Sequence, residues 1–367
     1  MPRARKPSDV PERRAFRRHA RTRSRLRHLG LSAASLSLVS LSLLLVFPDY
    51  PASSRNPDPP HSPVSEQRSA FSPVKVKQRD DTLNVRRANH ETYKKSADKK
   101  GAGDRFDAEV LRSRLMKVTR KYPGFYGIVI YDPASKKSVE LNQDDYFTAA
   151  SLAKLPVLLT LYREAARGAI DLDDEISILP TDVQDYGSGV LQNFPVGSTM
   201  TLRQCAKYLI KESDNTAWVM LERTLGQDRI NATLTALGDR DADYGSYLMN
   251  PDDVLLSLKA VDSTKFTGPR LSGEMLGLMT DTAYEDRLPY PLPDGTRVAH
   301  KIGTYGDTFS DAGIVFYKDR TGKRRSYYVV VLSRGATEET ARSAIREVSL
   351  DTYESFAKPS PKNRAHR

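Results

Sequence analysis

The chain has little of the two residue types that build most disulfides and metal centres. Cys205 is the only cysteine among 367 residues, so there is neither an internal disulfide nor a cysteine-built metal site. His300 is the only histidine between residues 104 and 357. A Ser-His-Asp hydrolase and a His-ligated metalloenzyme would therefore both lack essential parts, and we expect no metal and no cofactor.

The part of the chain that can form a folded domain also lacks an excess of positive charge. The formal net charge is +11, but residues 1–30, 48–103 and 358–367 carry +9, +4 and +4 of it. These three segments leave about −6 for residues 104–357. A mildly acidic domain is not expected to present a phosphate-binding surface, so we predict no nucleic-acid partner.

There is one long apolar run, residues 31–47, with seventeen uncharged residues after the arginine-rich segment 1–30. This length is at the short end of what spans a bilayer. The positive-inside tendency would keep residues 1–30 in the cytoplasm and export the rest. A cleaved signal peptide is the alternative, although residues 48–54 offer a poor cleavage site. We predict an uncleaved single-pass anchor in the cell membrane, with the domain outside the cytoplasm.

The segment 48–103 holds seven prolines among Ser, Lys, Arg and Asp, with few apolar residues to bury. This composition predicts a disordered stalk that holds the domain off the membrane. Within it, the charged stretch 94–100 is either a solvated linker or a contact to anionic wall polymer or lipid. Residues 358–367 form a basic tail.

Residues 104–357 show the order helix, two strands, a helical insert, further strands, helix. We predict an α+β domain, of the α/β class in the broad sense, in which an antiparallel sheet is backed by both terminal helices and an all-helical lobe is inserted. The predicted elements are a helix from about 106 that ends at Pro123-Gly124, strands at 125–131 and 138–141, mainly helices from about 150 to 285, strands at 311–317 and 326–332 joined by a turn at 319–322, and a helix at about 337–357.

Ser151 and Lys154 begin an apolar segment. If the segment is helical, a spacing of three places both side chains on one face, at the end where backbone N–H groups are unpaired. The serine can then act as a nucleophile that the lysine activates, either as a cation or, when neutral, as a base. The pair alone is not diagnostic, because the same spacing recurs at Ser72/Lys75, Ser96/Lys99 and Ser355/Lys358.

A second motif, Ser213-Asp214-Asn215, lies in the helical insert. All three residue types favour helix caps, so a cap alone is one interpretation. Chemically, a hydroxyl next to an amide suits a site that relays a proton to a leaving nitrogen and holds an amide carbonyl.

A third stretch, 299–306, contains Lys301 and Gly303 at the edge of the strand region. At such an edge a glycine lets a substrate backbone approach closely, and the lysine places a cation beside the substrate carboxylate.

Three such motifs in this order resemble the penicillin-recognising serine enzymes, the class A β-lactamases and the related D,D-peptidases, with their Ser-x-x-Lys, Ser-Asp-Asn and Lys-Thr/Ser-Gly motifs. The resemblance covers about 104–357. It includes Tyr186-Gly-Ser-Gly-Val-Leu191, similar to the loop before the second motif, and the segment 250–258, similar to the helix start after the omega loop. It implies the serine β-lactamase/D,D-peptidase-like fold.

The resemblance also implies a role for each motif residue. Ser151 would be the acylated nucleophile, Lys154 its base, and Ser213 the group that passes the proton to the leaving nitrogen. Asn215 would hold the substrate amide, and Lys301 would attract the substrate carboxylate beside Gly303. The oxyanion hole would consist of the backbone N–H groups of Ser151 and Thr304, each worth about 3–4 kcal/mol of barrier.

Ile302 departs from the family pattern, because the third motif has a hydroxyl residue there that hydrogen-bonds the substrate carboxylate. Thr304, two positions on and on the same face of a strand, is the expected replacement.

The omega loop is the second departure, since class A β-lactamases activate the deacylating water with a Glu on that loop. The segment before Asn250 looks shortened and has no Glu after Glu222. Asp239, Asp241 and Asp243 are either substitutes or solvent-exposed turn carboxylates.

The sequence therefore predicts a membrane-anchored extracytoplasmic serine hydrolase that forms an acyl-enzyme with β-lactams or D-Ala-D-Ala-like peptides and hydrolyses β-lactams slowly. The alternatives are a D,D-carboxypeptidase or penicillin-binding protein that acts on peptidoglycan stem peptides, and a catalytically idle wall-binding domain.

Overall fold

The computed structural model describes residues 107–357 except Arg240 and Arg320. Its helices are α1 Ala108–Lys121, α2 Lys154–Ala166, α3 Leu202–Lys211, α4 Asn215–Leu225, α5 Gln227–Leu237, α6 Pro251–Val261, α7 Thr264–Thr267, α8 Pro269–Leu278 and α9 Glu338–Ala357. The predicted cytoplasmic segment, anchor, stalk and basic tail lie outside the described residues and stay predictions. Among the helices just given, none is both long and apolar enough to cross a bilayer.

The strands are β1 Phe125–Asp132, β2 Lys137–Leu141, β3 Phe147–Thr148, β4 Glu175–Ser177, β5 Thr199–Thr201, β6 Leu248–Met249, β7 Arg297–Tyr305, β8 Thr308–Lys318 and β9 Arg324–Arg334. Five of them form one antiparallel sheet in the order β2-β1-β9-β8-β7. β7 is therefore an edge strand, as the sequence predicts for the segment that carries Lys301.

Side-chain alternation along the central strands divides the core into two layers. Val329 and Val331 belong to a cluster with Leu115 of α1 and Val348 of α9, whereas Val330 belongs to a cluster with Leu158 of α2. Successive residues of a strand point to opposite faces, so β9 packs on the terminal helices with one face and on the inserted lobe with the other. The predicted α+β architecture is confirmed.

The inserted lobe is not entirely helical, which corrects the prediction. β3 pairs with β6, and β4 pairs with β5, in two small antiparallel sheets. These strands have only two or three residues each, too few to produce a recognisable alternation of apolar and polar residues. The β3–β6 pair matters for the site, because it anchors the chain just before the turn that contains Ser151.

Candidate active site

Ser151 and Lys154 lie where a 3-10 turn runs into α2. Ser151 is in the turn Ala150–Ala153, and Lys154 is the first residue of α2. The α-helix predicted across both residues thus begins one turn later, but three residues per turn in the 3-10 geometry still keep the two side chains on one face. Ala150, directly before Ser151, has a φ of 47°, a strained conformation for a residue with a Cβ.

The Lys154 ammonium group is fully buried and surrounded by oxygen atoms. Its Nζ lies 3.1 Å from Ser151 Oγ, 3.2 Å from Ser213 Oγ, 2.5 Å from the Ser213 carbonyl oxygen and 2.8 Å from Asn215 Oδ1. The structure therefore brings the first two motifs into direct contact, although they are about 60 residues apart in the chain. The arrangement holds the amine beside the hydroxyl it would activate.

The pKa of Lys154 is lowered well below its usual value. Burial is the main cause, because a charged amine loses hydration, and the nearby Lys301 cation lowers the pKa further. Asp214 and Glu222 act in the opposite direction without outweighing these effects. A lowered pKa favours the neutral amine, which can accept a proton from a serine hydroxyl.

The second motif forms a tight turn before α4. Ser213 has a φ of 53°, and its Oγ accepts a hydrogen bond from Lys301 Nζ at 2.8 Å as well as one from Lys154. Asp214 caps α4 by accepting from the Ala217 amide at 2.9 Å. The cap interpretation is thus correct for Asp214, while Ser213 and Asn215 contact the lysines.

The loop 186–191 is held against this turn. Asp214 Oδ2 accepts from the amides of Val190 and Leu191, at 2.6 and 2.8 Å, and Asn215 Nδ2 donates to the Tyr186 carbonyl oxygen at 3.1 Å. Gly189 leaves no room for a side chain, because a Cβ there would lie 2.3 Å from the Asp214 carboxyl carbon. The glycines of this loop therefore allow the close approach that fixes the second motif.

The third motif lies on β7, next to the 3-10 turn. A Cβ on Gly303 would lie 2.9 Å from the Ala149 carbonyl oxygen, so only glycine lets the strand come this close to the turn that carries Ser151. Lys301 is buried, and burial lowers its pKa to about 7. Asp311 opposes this shift, and the Arg287 cation adds to it. The two buried amines, Lys154 and Lys301, thus flank Ser213.

Thr304 is exposed at the end of the motif, and its hydroxyl accepts a hydrogen bond from Arg287 Nη2 at 2.6 Å. Arg287 is almost fully buried and also donates from Nη1 to the carbonyl oxygens of Gly303 and Ser310. Because the Thr304 oxygen accepts here, its own proton can be donated to an anion. Arg287 was missed at the sequence level, since an arginine in an irregular segment between α8 and β7 belongs to no motif.

His300 is completely buried on β7. Its Nδ1 lies 2.9 Å from Asp311 Oδ1 and its Nε2 lies 3.2 Å from Glu285 Oε1. Burial alone would lower the pKa of His300, but the two carboxylates outweigh burial and raise the pKa to about 9. The structure thus places a buried imidazole between two carboxylates, and the raised pKa favours its charged form.

Asp239, Asp241 and Asp243, the aspartates between α5 and α6, line a cavity together with Ala149 and Tyr247. Asp241 and Asp243 are exposed, and Asp239 accepts a hydrogen bond from the Asp241 amide. Two aromatic residues of this segment, Tyr244 and Tyr247, contact Trp218.

The carboxylate that couples to Lys154 from this side is Glu222 on α4. It precedes the loop, and the sequence alone assigns it no role. Glu222 follows Trp218 by four residues and Asn215 by seven, so it lies on the same helix face as this motif residue. That spacing is the one sequence signal that could have identified Glu222.

Taken together, these contacts define a cleft between the edge of the sheet and the helical lobe. One hydroxyl, on Ser151, lies beside a buried amine whose pKa is lowered, and a second hydroxyl and a second amine continue the chain of contacts. The class of protein that uses such a site is the lysine-assisted serine hydrolases, in which a serine hydroxyl attacks an acyl carbon.

Comparisons with known proteins agree with this class. The sequence profile described as the beta-lactamase enzyme family matches residues 110–356. The chain is 26% identical over 199 residues to β-lactamase VEB-1 of Pseudomonas aeruginosa, which covers 49% of this chain and 67% of that protein. It is 25% identical over 243 residues to a β-lactamase of Bacteroides uniformis, covering 59% of this chain and 81% of that protein.

Solved structures show the same fold. PBP-A superposes with a TM-score of 0.62 at 24% identity, over 68% of this chain and 97% of its own. A β-lactamase from Sphaerobacter thermophilus superposes with a TM-score of 0.62 at 23% identity, over 70% of this chain and all of its own. The chain therefore belongs to the beta-lactamase enzyme family and is a serine β-lactamase-like hydrolase with that family's fold.

Proposed function

We propose that this protein captures β-lactams, or peptides that end in D-Ala-D-Ala, as an ester on Ser151, and that it releases the acyl group slowly. The observation that carries the proposal is the contact chain from Ser151 Oγ through Lys154 Nζ and Ser213 Oγ to Lys301 Nζ, with distances of 3.1, 3.2 and 2.8 Å. Such a chain connects a nucleophile to a base and to a route for its proton.

Acylation follows from this geometry. Neutral Lys154 accepts the proton of Ser151 as Oγ attacks the carbonyl carbon, and the developing oxyanion is held by the backbone N–H groups of Ser151 and Thr304. The amide C–N bond then breaks, and Ser213 passes a proton to the leaving nitrogen. Asn215 holds the substrate amide. Each N–H of such an oxyanion hole lowers the barrier by about 3–4 kcal/mol.

Substrate recognition is proposed to depend on a carboxylate. Lys301, the Arg287 guanidinium and the Thr304 hydroxyl lie at one end of the cleft, beside Gly303. Penicillins and D-Ala-D-Ala peptides both carry a carboxylate near the amide that is attacked. This cationic end favours a D,D-carboxypeptidase as the second candidate function, since that reaction releases a C-terminal amino acid whose carboxylate needs such a site.

Slow release is proposed because, in the described part of the chain, the hydrogen-bond partners of Lys154 Nζ beside Ser151 are hydroxyl, carbonyl and amide oxygens rather than a carboxylate that could activate a water at the ester. The side chain next to these groups is Trp218, whose ring centroid lies 5.0 Å from Lys154 Nζ. A deacylation base must come within hydrogen-bonding reach of the attacking water, and an aromatic ring does not provide one.

Labelling with a fluorescent penicillin tests the proposal. We expect a covalent label on the wild-type protein and none on the Ser151→Ala variant. Folded protein without any Ser151-dependent label would remove the enzyme interpretation for β-lactams and favour the idle wall-binding domain. Steady-state assays with nitrocefin and with a D-Ala-D-Ala peptide then distinguish a hydrolase from a slow-release binder and from a carboxypeptidase.

The localisation is also a proposal, in which residues 31–47 anchor the protein in the cell membrane and residues 48–103 form the stalk. It is supported by the arginine-rich segment 1–30 beside an uncharged apolar run. Membrane fractionation, with protease added outside the cytoplasm, tests it. Recovery of the full-length protein in the soluble fraction would contradict the anchor.

A further inference from the structure

One face of α4 leads from the cleft into the protein interior. Asn215, Trp218 and Glu222 are spaced by three and four residues, so they follow one another along this face. Asn215 contacts Lys154, and Glu222 lies seven residues further on, about 10 Å along the helix axis. Trp218 lies between them and is 8% exposed.

Contacts of the indole ring establish the order of groups from the cleft inward. Lys154 Nζ lies 5.0 Å from the ring centroid. The indole Nε1 donates to the Tyr244 hydroxyl at 2.6 Å, and that hydroxyl donates to Glu222 Oε1. Trp218 therefore separates the amine beside Ser151 from the Glu222 carboxylate.

The Glu222 carboxylate is enclosed by aromatic residues. The Tyr247 hydroxyl donates to Glu222 Oε1 at 3.4 Å, and the Tyr247 ring meets the Trp218 ring edge-on at 5.8 Å. Burial raises the pKa of Glu222, a direction that suits a general base at neutral pH. Glu222 also couples electrostatically to Lys154 across the indole ring. It thus has the chemistry of a deacylation base but not the position of one.

We propose that Trp218 keeps the acyl-enzyme long-lived by separating Glu222 from the ester on Ser151. This inference rests on the proposed acyl-enzyme. A polar, smaller residue at 218 would leave space for a water lined by Lys154, Glu222 and the Tyr244 hydroxyl, enough polar partners to hold it. That water would attack the ester carbon and give its proton to Glu222. The bond from the carbon to Ser151 Oγ would then break, and Oγ would take back, through Lys154, the proton that Glu222 accepted from the water.

Release of the acyl group tests this inference. Full-length protein is first labelled to completion with fluorescent penicillin and then chased with unlabelled penicillin, so that changes in acylation rate do not enter the measurement. We expect Trp218→Asn to lose its label on the order of 100-fold faster than wild type, the contribution of a positioned general base. Trp218→Phe is the matched control, because it keeps an aromatic ring in place, and its release should follow the wild type.

The Glu222→Gln substitution identifies the base. Combined with Trp218→Asn it should return release to the wild-type rate, whereas on its own it should leave release unchanged. The single variant is nearly isosteric, so it keeps the test decisive if Trp218→Asn fails to fold. The inference would be overturned if Glu222→Gln alone released the label faster or slower than the wild type. It would also be overturned if folded and labelled Trp218→Asn released the label at the wild-type rate.

The proposed function fails in a different way. Absence of any Ser151-dependent label on the wild-type protein would overturn both the acyl-enzyme and this inference. Normal labelling with release that does not depend on residue 218 would overturn the inference alone.

Discussion

Lys154 and Lys301 share one hydroxyl group, since their Nζ atoms lie 3.2 and 2.8 Å from Ser213 Oγ. Two buried ammonium groups around one hydroxyl repel each other, which favours the loss of a proton from the pair. Lys301 lowers the pKa of Lys154 in this way, on top of the effect of burial. The pair therefore favours a neutral Lys154 next to Ser151 and a cationic Lys301 toward the substrate.

Removing the Lys154 amine should stop acylation without unfolding the protein. We expect Lys154→Met to lower the rate constant of labelling by fluorescent penicillin by about 10²–10⁴, the usual contribution of a general base. Loss of the buried amine leaves the Ser213 carbonyl oxygen and Asn215 Oδ1 without their donor, so we expect the free energy of unfolding to fall by about 1–3 kcal/mol while the protein stays folded. Lys259→Met is the matched control, because Lys259 is on a different helix, α6, and its Nζ lies 3.8 Å from the centroid of the Tyr131 ring. A labelling rate that falls equally in both variants would count against the base role.

The second-order rate constant of acylation should depend on pH through both lysines. It should rise with pH as Lys154 loses its proton, and fall above pH 7 as Lys301, with a pKa of about 7, loses the charge that attracts a carboxylate. Lys301→Arg should abolish the fall, because a guanidinium stays charged. The measurement is labelling rate against pH for the two proteins. An alkaline limb that persists unchanged in Lys301→Arg would contradict the assignment.

His300 should make stability depend on pH in the alkaline range. Its pKa in the folded state is about 9, above the usual value of 6.5. Its ion pairs therefore stabilise the folded protein fully below pH 6.5, and this stabilisation is lost as the pH rises through 9. The difference between these two pKa values corresponds to about 3 kcal/mol in the free energy of unfolding. Urea unfolding should show that His300→Asn destabilises the protein by about that much more at pH 6 than at pH 10. An equal effect at both values would show that His300 is not charged.

Gly303→Ala tests the contact between β7 and the turn of Ser151. The added Cβ would lie 2.9 Å from the Ala149 carbonyl oxygen, so either β7 or the turn must move. We expect a loss of about 1–3 kcal/mol in the free energy of unfolding, with slower acylation because the cleft is distorted. Gly277→Ala is the control, since no atom lies within 4 Å of a Cβ on this α8 residue, and it should be neutral or stabilising. Equal effects of the two substitutions would remove the steric argument.

Much of the fold could be predicted from the sequence because long strands and amphipathic helices have a clear period. β9 shows this well, since Val329, Val330 and Val331 alternate between two cores. The pairs β3–β6 and β4–β5 escaped prediction because two or three residues carry no period. Such short strands form only because the surrounding tertiary structure holds them together.

The candidate site was predictable where residue types form a motif and not where they act through tertiary contacts. Ser151, Lys154, Ser213 and Lys301 lie together as their motifs suggested. Arg287 reaches Thr304 from an irregular segment, and Glu222 acts electrostatically on Lys154 from α4. Their positions depend on how the segments pack, which residue spacing alone does not determine.

The central claim is that the Ser151 hydroxyl, activated by Lys154, is the group that becomes acylated. Intact-mass spectrometry after incubation with penicillin, followed by peptide mapping, tests it most directly. The account predicts one adduct with the full mass of the penicillin, located on the peptide that contains Ser151 and absent from Ser151→Ala. An adduct on another residue, or the same adduct in Ser151→Ala, would contradict it.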